Sequence, residues 1–261
     1  MATAKNRPIL ENEHVQELLA LLKENDTTTR TALVSVLAHI GEMEEQYKAM
    51  TAELSTMREM LTEAQRQKHP ARAAMQNAVI GAQSRVLGFR DMLAGLKQSI
   101  IDGCRAAADA VWDTGIAALN GVVQFLNIRP QLVALHKGHA ESIQSAQRSI
   151  AKIEAVSREY HETRRHLKNI GRAMVGRATI QEAKPIGKIA GTFINSLQNK
   201  CAIHAQSQRR IGAMLGSLKR LEERAAGRVS FKETLEAYRK QRAEEPAPAA
   251  PTRTQPATEA R

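Results

Sequence analysis

The chain has 261 residues, a formal net charge of +11 and an aromatic content of only 3%, and residues that favour helices dominate it. This composition disfavours a β-rich core and favours long contacts between helices. The two cysteines, Cys104 and Cys201, exclude a disulfide framework and predict a reducing compartment. Because the first ten residues also lack the apolar segment of a signal peptide, we predict a cytoplasmic protein.

The positive charge is unevenly distributed along the chain. Residues 1–69 carry 8 Lys and Arg against 11 Asp and Glu, whereas residues 70–239 carry 26 against 13. A basic body of this kind fits nucleic acid, an acidic protein surface or an anionic membrane, and also the acidic N-terminal arm. The most apolar stretch, 106–128, contains Asp109 and Asp113, so we predict a buried core helix there and expect no membrane partner.

The first two elements are predicted to be a short amphipathic helix over residues 9–24 and a long helix over 29–68. Apolar residues of the long helix recur in alternating steps of three and four, which is the pattern of a coiled coil. His69-Pro70 ends this helix, because proline disfavours helical geometry in the residue before it. The heptad seam consists of Leu33, Val36, Ile40, Met43, Tyr47, Met50, Leu54, Met57, Leu61 and Ala64.

One apolar face of an isolated helix is not stable in water, so the heptad seam must pack against another helix, a second copy of the chain or the rest of the molecule. We predict self-association through the seam. The residues expected to carry it are Leu33, Ile40, Tyr47, Leu54 and Leu61.

Three further long helices are predicted over residues 71–127 (in two pieces), 130–175 and 185–226. Gly227 is expected to end the third of them, and Ser230 with Glu233 forms a capping-box pattern for a last helix over 230–243. The helix over 130–175 has an apolar stripe that we expect to face the interior. Its members are Ile153, Val156, Tyr160, Leu167, Ile170 and Met174.

Three glycines, Gly81, Gly88 and Gly95, recur every seven residues beside the apolar positions of their helix. Each costs about 1 kcal/mol relative to alanine in a helix. The row therefore predicts a closely approaching neighbour helix, unless it reflects sequence drift.

The fold class predicted from these elements is all-α, because no stretch of the chain shows the alternation of a strand. Long helices joined by short turns favour an elongated bundle of antiparallel helices. We divide the chain into an N-terminal coiled-coil arm over 9–68, a basic helical bundle over 71–243 and a Pro/Ala-rich tail over 244–261. The tail has no apolar periodicity and is predicted to be disordered.

Patterns that carry catalytic or metal chemistry are weak. Residues 171–178 have the GxxxxG spacing of a phosphate loop, but Arg177 and Ala178 stand where Lys and Ser or Thr are needed, so we predict a helix C-terminus. The paired histidines lack further zinc ligands at suitable spacing. Cys201 and His204 share an apolar helix face, which favours a core role. No catalytic, cofactor or metal site is predicted, and we expect no enzyme.

Basic side chains on two of the predicted helices are the main candidate for binding an anion. Residues 158–228 hold 15 Lys and Arg against 5 Asp and Glu. Such arrays bind phosphate backbones, although they also occur as ordinary solvated surfaces or as a dock for the acidic arm. The candidate residues are Arg158, Arg165, Lys168, Arg172, Arg209, Arg220 and Arg224.

Two stretches carry a resemblance to a known group of sequences. They are NEHVQELLALL at residues 12–22 and a segment over 152–176 that contains KIEAVSREY and RHLKNIGRAMVG. Together with the order of the helices, they resemble an uncharacterised family of helical proteins encoded on conjugative or other mobile elements of gut Gram-positive bacteria. The resemblance covers residues 10–225 and implies a bacterial cytoplasm and a mobile element, but it implies no activity and no functional residues.

These observations together predict a non-enzymatic interaction or scaffold protein. Its partner is expected to be another protein, or a second copy bound through the coiled coil. The alternative is an accessory protein that binds nucleic acid without sequence specificity, because no base-reading motif is present and few aromatic residues are available for stacking.

Overall fold

The computed structural model describes residues 8–115, 126–182 and 186–244, with side chains of the last range as far as residue 226. A short 3-10 turn, Ile9–Glu11, precedes five helices. They are α1 (Glu13–Asn25), α2 (Thr27–Arg66), α3 (Arg72–Thr114), α4 (Arg129–Met174) and α5 (Lys188–Glu244). Every regular element in these ranges is helical, which confirms the predicted all-α fold.

Local chemistry explains where the first long helix begins and ends. The side chain of Asp26 caps α2 by accepting hydrogen bonds from the backbone N–H of Thr29 at 3.1 Å and from its hydroxyl at 2.9 Å. At the other end, Pro70 follows the turn formed by residues 67–69. The short turn allows α3 to fold back along α2.

Helices α2 to α5 form an antiparallel four-helix bundle. Lys97 pairs with Glu44 across α2 and α3 at 2.5 Å, and Gln131 donates to Ser99 at 2.7 Å across α4 and α3. Helix α5 lies beside α2 and closes the bundle, as the ion pair between Arg210 on α5 and Glu42 on α2 at 3.0 Å shows. In each pair, later residues of one helix meet earlier residues of the other, as an up-down-up-down bundle requires.

The heptad seam of α2 forms much of the core of this bundle. Every seam residue is buried except Leu61, which packs partly buried against the others. The apolar face of α1 joins the same core through Val15, Leu18 and Leu22. The N-terminal arm is thus packed on α3. Among the described residues, those up to Leu221 form one compact unit and those from Glu222 form a second.

Several expectations about helix boundaries and packing need correction. Helix α5 continues through Gly227 and through the predicted capping box, because a single glycine weakens a helix by only about 1 kcal/mol and does not remove a backbone donor. The glycine row marks no close helix approach, since a Cβ at Gly88 or Gly95 would meet no atom within 4 Å. The end of α3 needs no such correction, because the prediction placed a break within 71–127 and α3 ends at Thr114, before Gly115 with its φ of 83°.

Some predictions fall outside the described residues. They concern the second half of the apolar stretch, at 116–125, and the tail from residue 245. Within the described ranges, none of the helices combines the length and apolar content that crossing a bilayer requires.

Candidate functional site

The last turns of α4 run past the end of the neighbouring helices. His161 lies beside the start of α5, because its Nε2 is 3.5 Å from the position that a Cβ would take at Gly187. It also lies near the α2–α3 turn, where burial and the charge of His161 lower the pKa of His69. Helix α4 continues to Met174, about 20 Å further at 1.5 Å per residue.

This projection leaves half of the predicted inner stripe of α4 uncovered. Ile153 is fully buried, but Leu167 is 64%, Ile170 60% and Met174 83% exposed. The expectation that these three face the interior is wrong, because none of the helices in the described ranges covers them. Together with the exposed Tyr160 they form the apolar stripe of what we call the α4 end face. At 100° per residue, the four lie within about 80° of arc.

The α4 end face has basic side chains along one edge of the apolar stripe. Arg164 and Lys168 lie four residues apart, one helical turn, and both are exposed. Arg158 is exposed on the same helix, one to two turns earlier. Around the helix axis, Arg164 lies about 40° and Lys168 about 80° beyond the edge of the stripe, whereas Arg158 lies on the opposite side of the helix.

Two of the predicted basic residues are engaged with the loop that follows α4. Arg165 donates to the carbonyl oxygen of Gln181 at 2.5 Å, and Arg172 donates to that of Ala178 at 2.5 Å. Asn169 completes the attachment, because its side chain donates to the carbonyl of Ile180 and accepts from its N–H, at 2.9 and 2.7 Å. These three side chains hold the loop on the side of α4 away from the apolar stripe.

The end of α4 itself is the C-terminal cap predicted for residues 171–178. Gly176 has a φ of 67°, and its N–H donates to the carbonyl of Ala173 at 3.1 Å. The N–H of Arg177 donates to the carbonyl of Arg172 at 2.8 Å, which completes a Schellman-type ending. A helix C-terminus presents carbonyl oxygens, so this string offers no phosphate cradle.

The predicted basic residues of α5 lie far from those of α4. His139 on α4 meets His204 on α5, and from that level the antiparallel helices carry Arg165 and Arg220 in opposite directions. At 1.5 Å per residue these two lie about 60 Å apart along the bundle. Arg209 and Arg220 are exposed, and Arg220 donates to Ser217 at 3.0 Å. Arg224 is partly exposed in the second unit. The structure therefore does not bring the predicted basic set together.

The residues predicted for self-association are placed inside the molecule. Leu33, Ile40, Tyr47 and Leu54 are buried and Leu61 is partly buried, all against helices of the same chain. In this conformation the seam is not a surface that a second copy could reach without opening the bundle.

A cluster of aromatic and histidine rings lies at the centre of the bundle, and sequence reasoning missed it. The hydroxyl of Tyr47 is 3.1 Å from Nε2 of His139, and Nδ1 of His139 is 2.9 Å from Nδ1 of His204. The ring of Phe89 stacks on His139 with centroids 4.3 Å apart. A Cβ at Gly138 would lie 3.0 Å from Cε1 of Phe89, so this glycine allows the ring to approach α4 closely.

Burial keeps both histidines neutral. It lowers the pKa of His139 to about 4 and that of His204 to about 3, where the charge of His139 contributes further. With Tyr47 donating to His139, the proton of His139 lies on Nδ1 and is donated to His204, whose own proton then lies on Nε2. Across the described part of the chain, no third ligand completes a metal site around them.

A signal for this cluster was present in the sequence. His139 continues the spacing of Leu132 and Leu135 along α4, so it occupies an apolar position of the helix.

The thiols give no comparable site. Burial raises the pKa of Cys104 to about 12 and raises that of Cys201, so neither is an activated nucleophile.

Comparison with known proteins places the chain in a family without assigning it an activity. No curated protein and no solved structure matches it. Residues 11–259 match a family defined by sequence, and this range includes both stretches that carried the resemblance to an uncharacterised family. The chain belongs to DUF6674, a family of unknown function.

Proposed function

We propose that this protein is a non-enzymatic interaction protein that binds an acidic amphipathic segment of another protein on the α4 end face. The observation that carries the proposal is the exposure of Leu167, Ile170 and Met174 on one stripe of a helix. Contiguous exposed apolar side chains rimmed by polar ones are typical of protein-binding sites. A helical partner could lay its own apolar face against such a stripe.

The magnitudes favour a partner that also supplies charge. Full burial of three large apolar side chains contributes roughly 5–9 kcal/mol at most. Association costs about 4–15 kcal/mol in lost freedom, so the apolar stripe alone does not give tight binding. Arg164 and Lys168 stand at its edge and are exposed. Acidic residues on the partner would pair with them, increase the association rate and fix the register.

The same charges argue against two other occupants. A second copy of the α4 end face would bring Arg164 and Lys168 close to their own counterparts, and like charges across an interface are unfavourable. Nucleic acid would meet the positive edge but would leave the apolar stripe in water, and Arg165 and Arg172 are already bound to loop carbonyls.

The biological setting in this proposal comes from the resemblance noted in the sequence. The partner would be another protein encoded on, or recruited by, a mobile element of a Gram-positive gut bacterium, and the binding would take place in the cytoplasm.

Site-specific photo-crosslinking in host cells tests the proposal. A photo-reactive amino acid at Leu167 should give one discrete cross-linked protein, whereas the same amino acid at Val133 should not. Val133 is a matched control because it lies on the same helix and is 51% exposed, but away from the α4 end face. The partner's cross-linked segment is then made as a peptide and titrated against the purified full chain.

We expect Ile170→Ser and the pair Arg164→Glu with Lys168→Glu each to weaken peptide binding at least tenfold, and Val133→Ser to leave it unchanged. Equal cross-linking at both positions, or unchanged affinity in the variants, contradicts the proposal. Titration of labelled duplex DNA at about 50 and 200 mM salt tests the alternative. Steeply salt-dependent binding that survives Ile170→Ser would replace the protein partner with nucleic acid.

A further inference from the structure

A small polar cavity lies between α3, α4 and α5, away from the α4 end face. Its volume is about 40 Å³, and small side chains make room for it, with Gly81 on α3 and Ala146 on α4 in its wall. One water needs about 10–15 Å³ of such space, so the cavity has room for about three waters or one small ion. Asn77 on α3 also lines it and is exposed, so the cavity is open to solvent on that side.

Two cationic side chains line this cavity. Lys200 on α5 is only 3% exposed, and Arg85 on α3 is partly buried. The lining residues include no aspartate and no glutamate. Outside the lining, the charge of Glu53 on α2 acts on Lys200, and Glu53 already accepts a hydrogen bond from Ser196. The cavity is therefore positive, and no acidic side chain within it balances the charge.

Buried polar atoms at the cavity have no hydrogen-bond partner among the described residues. They are Nζ of Lys200 and Oγ of Ser142, and both residues are more than nine-tenths buried. Proteins rarely leave a buried ammonium without a partner, because the charged group has lost its water. The wall of one cavity thus offers an ammonium and a hydroxyl that are free to bind a ligand or water.

We propose that the cavity binds a small oxyanion, and inorganic phosphate is the probe that tests it. The ammonium of Lys200 and the guanidinium of Arg85 would supply the charge, and Ser142 would donate its hydroxyl. His204 also lines the cavity. In the arrangement in which Tyr47 donates to His139, His204 carries its proton on Nε2 and is a further donor. This anion site is independent of the proposed binding of a protein at the α4 end face, because it uses other residues and lies inside the bundle.

The protonation state of Lys200 is compatible with this role. Burial lowers its pKa to about 8, and Glu53 on α2 offsets part of the shift, while Arg85 on α3 adds to it. From its own helix, Cys201 raises this pKa, and α4 contributes three serines and an alanine but no charged side chain to the cavity lining. The ammonium is thus mostly charged at pH 7. A bound anion would raise the pKa, so affinity should fall as the pH rises above about 8.

Calorimetric titration of the purified full chain with sodium phosphate at pH 7, at constant ionic strength set with chloride, tests the proposal. We expect one saturable site in the wild type. Lys200→Met, which keeps the length of the side chain but removes its charge, should weaken binding at least tenfold. Lys188→Met should bind like the wild type, because Lys188 is an exposed lysine on the same helix. Sulfate, acetate and glycerol phosphate, titrated in parallel, distinguish a free anion from a phosphate monoester.

Thermal melts separate this result from a general effect on folding. Phosphate and sulfate stabilise proteins by exclusion from their surface, and that effect would raise the melting temperature of every variant alike. We expect an extra, saturable rise in the wild type and in Lys188→Met that is absent in Lys200→Met. Without phosphate, Lys200→Met should melt at a higher temperature than the wild type, since it removes a buried unpaired charge. An equal phosphate response in all three proteins, or no saturable heat in the wild type, overturns the proposal.

Discussion

The two halves of α4 have the same apolar spacing, but the first half is buried and the second is exposed to solvent. Up to Ile153 the stripe is buried in the bundle, whereas Leu167, Ile170 and Met174 on the same side of the helix face solvent. The difference comes from the neighbours and not from the stripe, because α2 ends and α5 begins near His161. An amphipathic pattern thus predicts that a helix has an apolar face, but not that the same chain covers it.

A matched pair of substitutions on α4 tests this comparison with the largest expected effect. Ile153→Asp places an unpaired carboxylate in the core and should lower the free energy of unfolding by about 4–5 kcal/mol or more. Ile170→Asp changes a residue that is 60% exposed and should stay within about 0.5 kcal/mol of the wild type. Urea denaturation of both variants measures the difference. Similar losses would mean that the end of α4 is covered.

Acidification should lower the free energy of unfolding, because His139 and His204 are buried as neutral rings. The pKa values of His139 and His204 are lowered to about 4 and about 3, so below pH 6.5 the unfolded chain binds more protons than the folded one. The stability is fully present above pH 6.5 and is lost as the pH falls toward these values, by up to about 1.4 kcal/mol per pH unit for each histidine. Urea midpoints between pH 7 and 5 measure the loss.

Nuclear magnetic resonance of the wild type gives an independent check on the same prediction. The ring signals of His139 and His204 should still report neutral imidazoles at pH 5.5. Protonated rings at His139 and His204 at that pH would show that the cluster is open to water.

Two glycines of α4 offer a smaller test of packing. Gly138→Ala would place a Cβ 3.0 Å from Phe89, whose ring is stacked on His139, and should destabilise the fold by about 1–3 kcal/mol. Gly171→Ala would meet no atom within 4 Å and should stabilise α4 by up to about 1 kcal/mol. Thermal melts of the two variants should therefore shift in opposite directions. A stabilising Gly138→Ala would contradict the close packing of the ring cluster.

The smallest effect is expected at the loop after α4. Arg172→Met removes the hydrogen bond to Ala178 and should loosen the loop by about 1 kcal/mol, with little change in global stability. Hydrogen exchange at the N–H of Ile180, which donates to Asn169, reports the change. Arg158→Met is the control, because Arg158 lies on the same helix but outside the loop contacts. Equal exchange in both variants would show that Arg172 does not hold the loop.

Sequence reasoning located most helices and explained several of their ends. It also identified the heptad seam correctly as an apolar face that needs a cover. It did not predict that α3 supplies much of that cover, or that Arg165 and Arg172, its candidates for binding an anion, donate hydrogen bonds to a loop. It missed Lys200 and Arg85 because an isolated lysine and an isolated arginine carry no pattern.

The sequence by itself determined the local features of this protein, because caps, proline breaks and apolar spacing act over only a few neighbouring residues. Asp26, Pro70 and Gly176 mark helix ends through contacts within their own turns. Only the tertiary structure decided which faces are covered and which distant groups meet. His139 and His204 are 65 residues apart in the chain, and their pairing depends on how the long helices align. Burial, and with it the charge state of a buried group, is a property of the neighbours that the whole chain brings together.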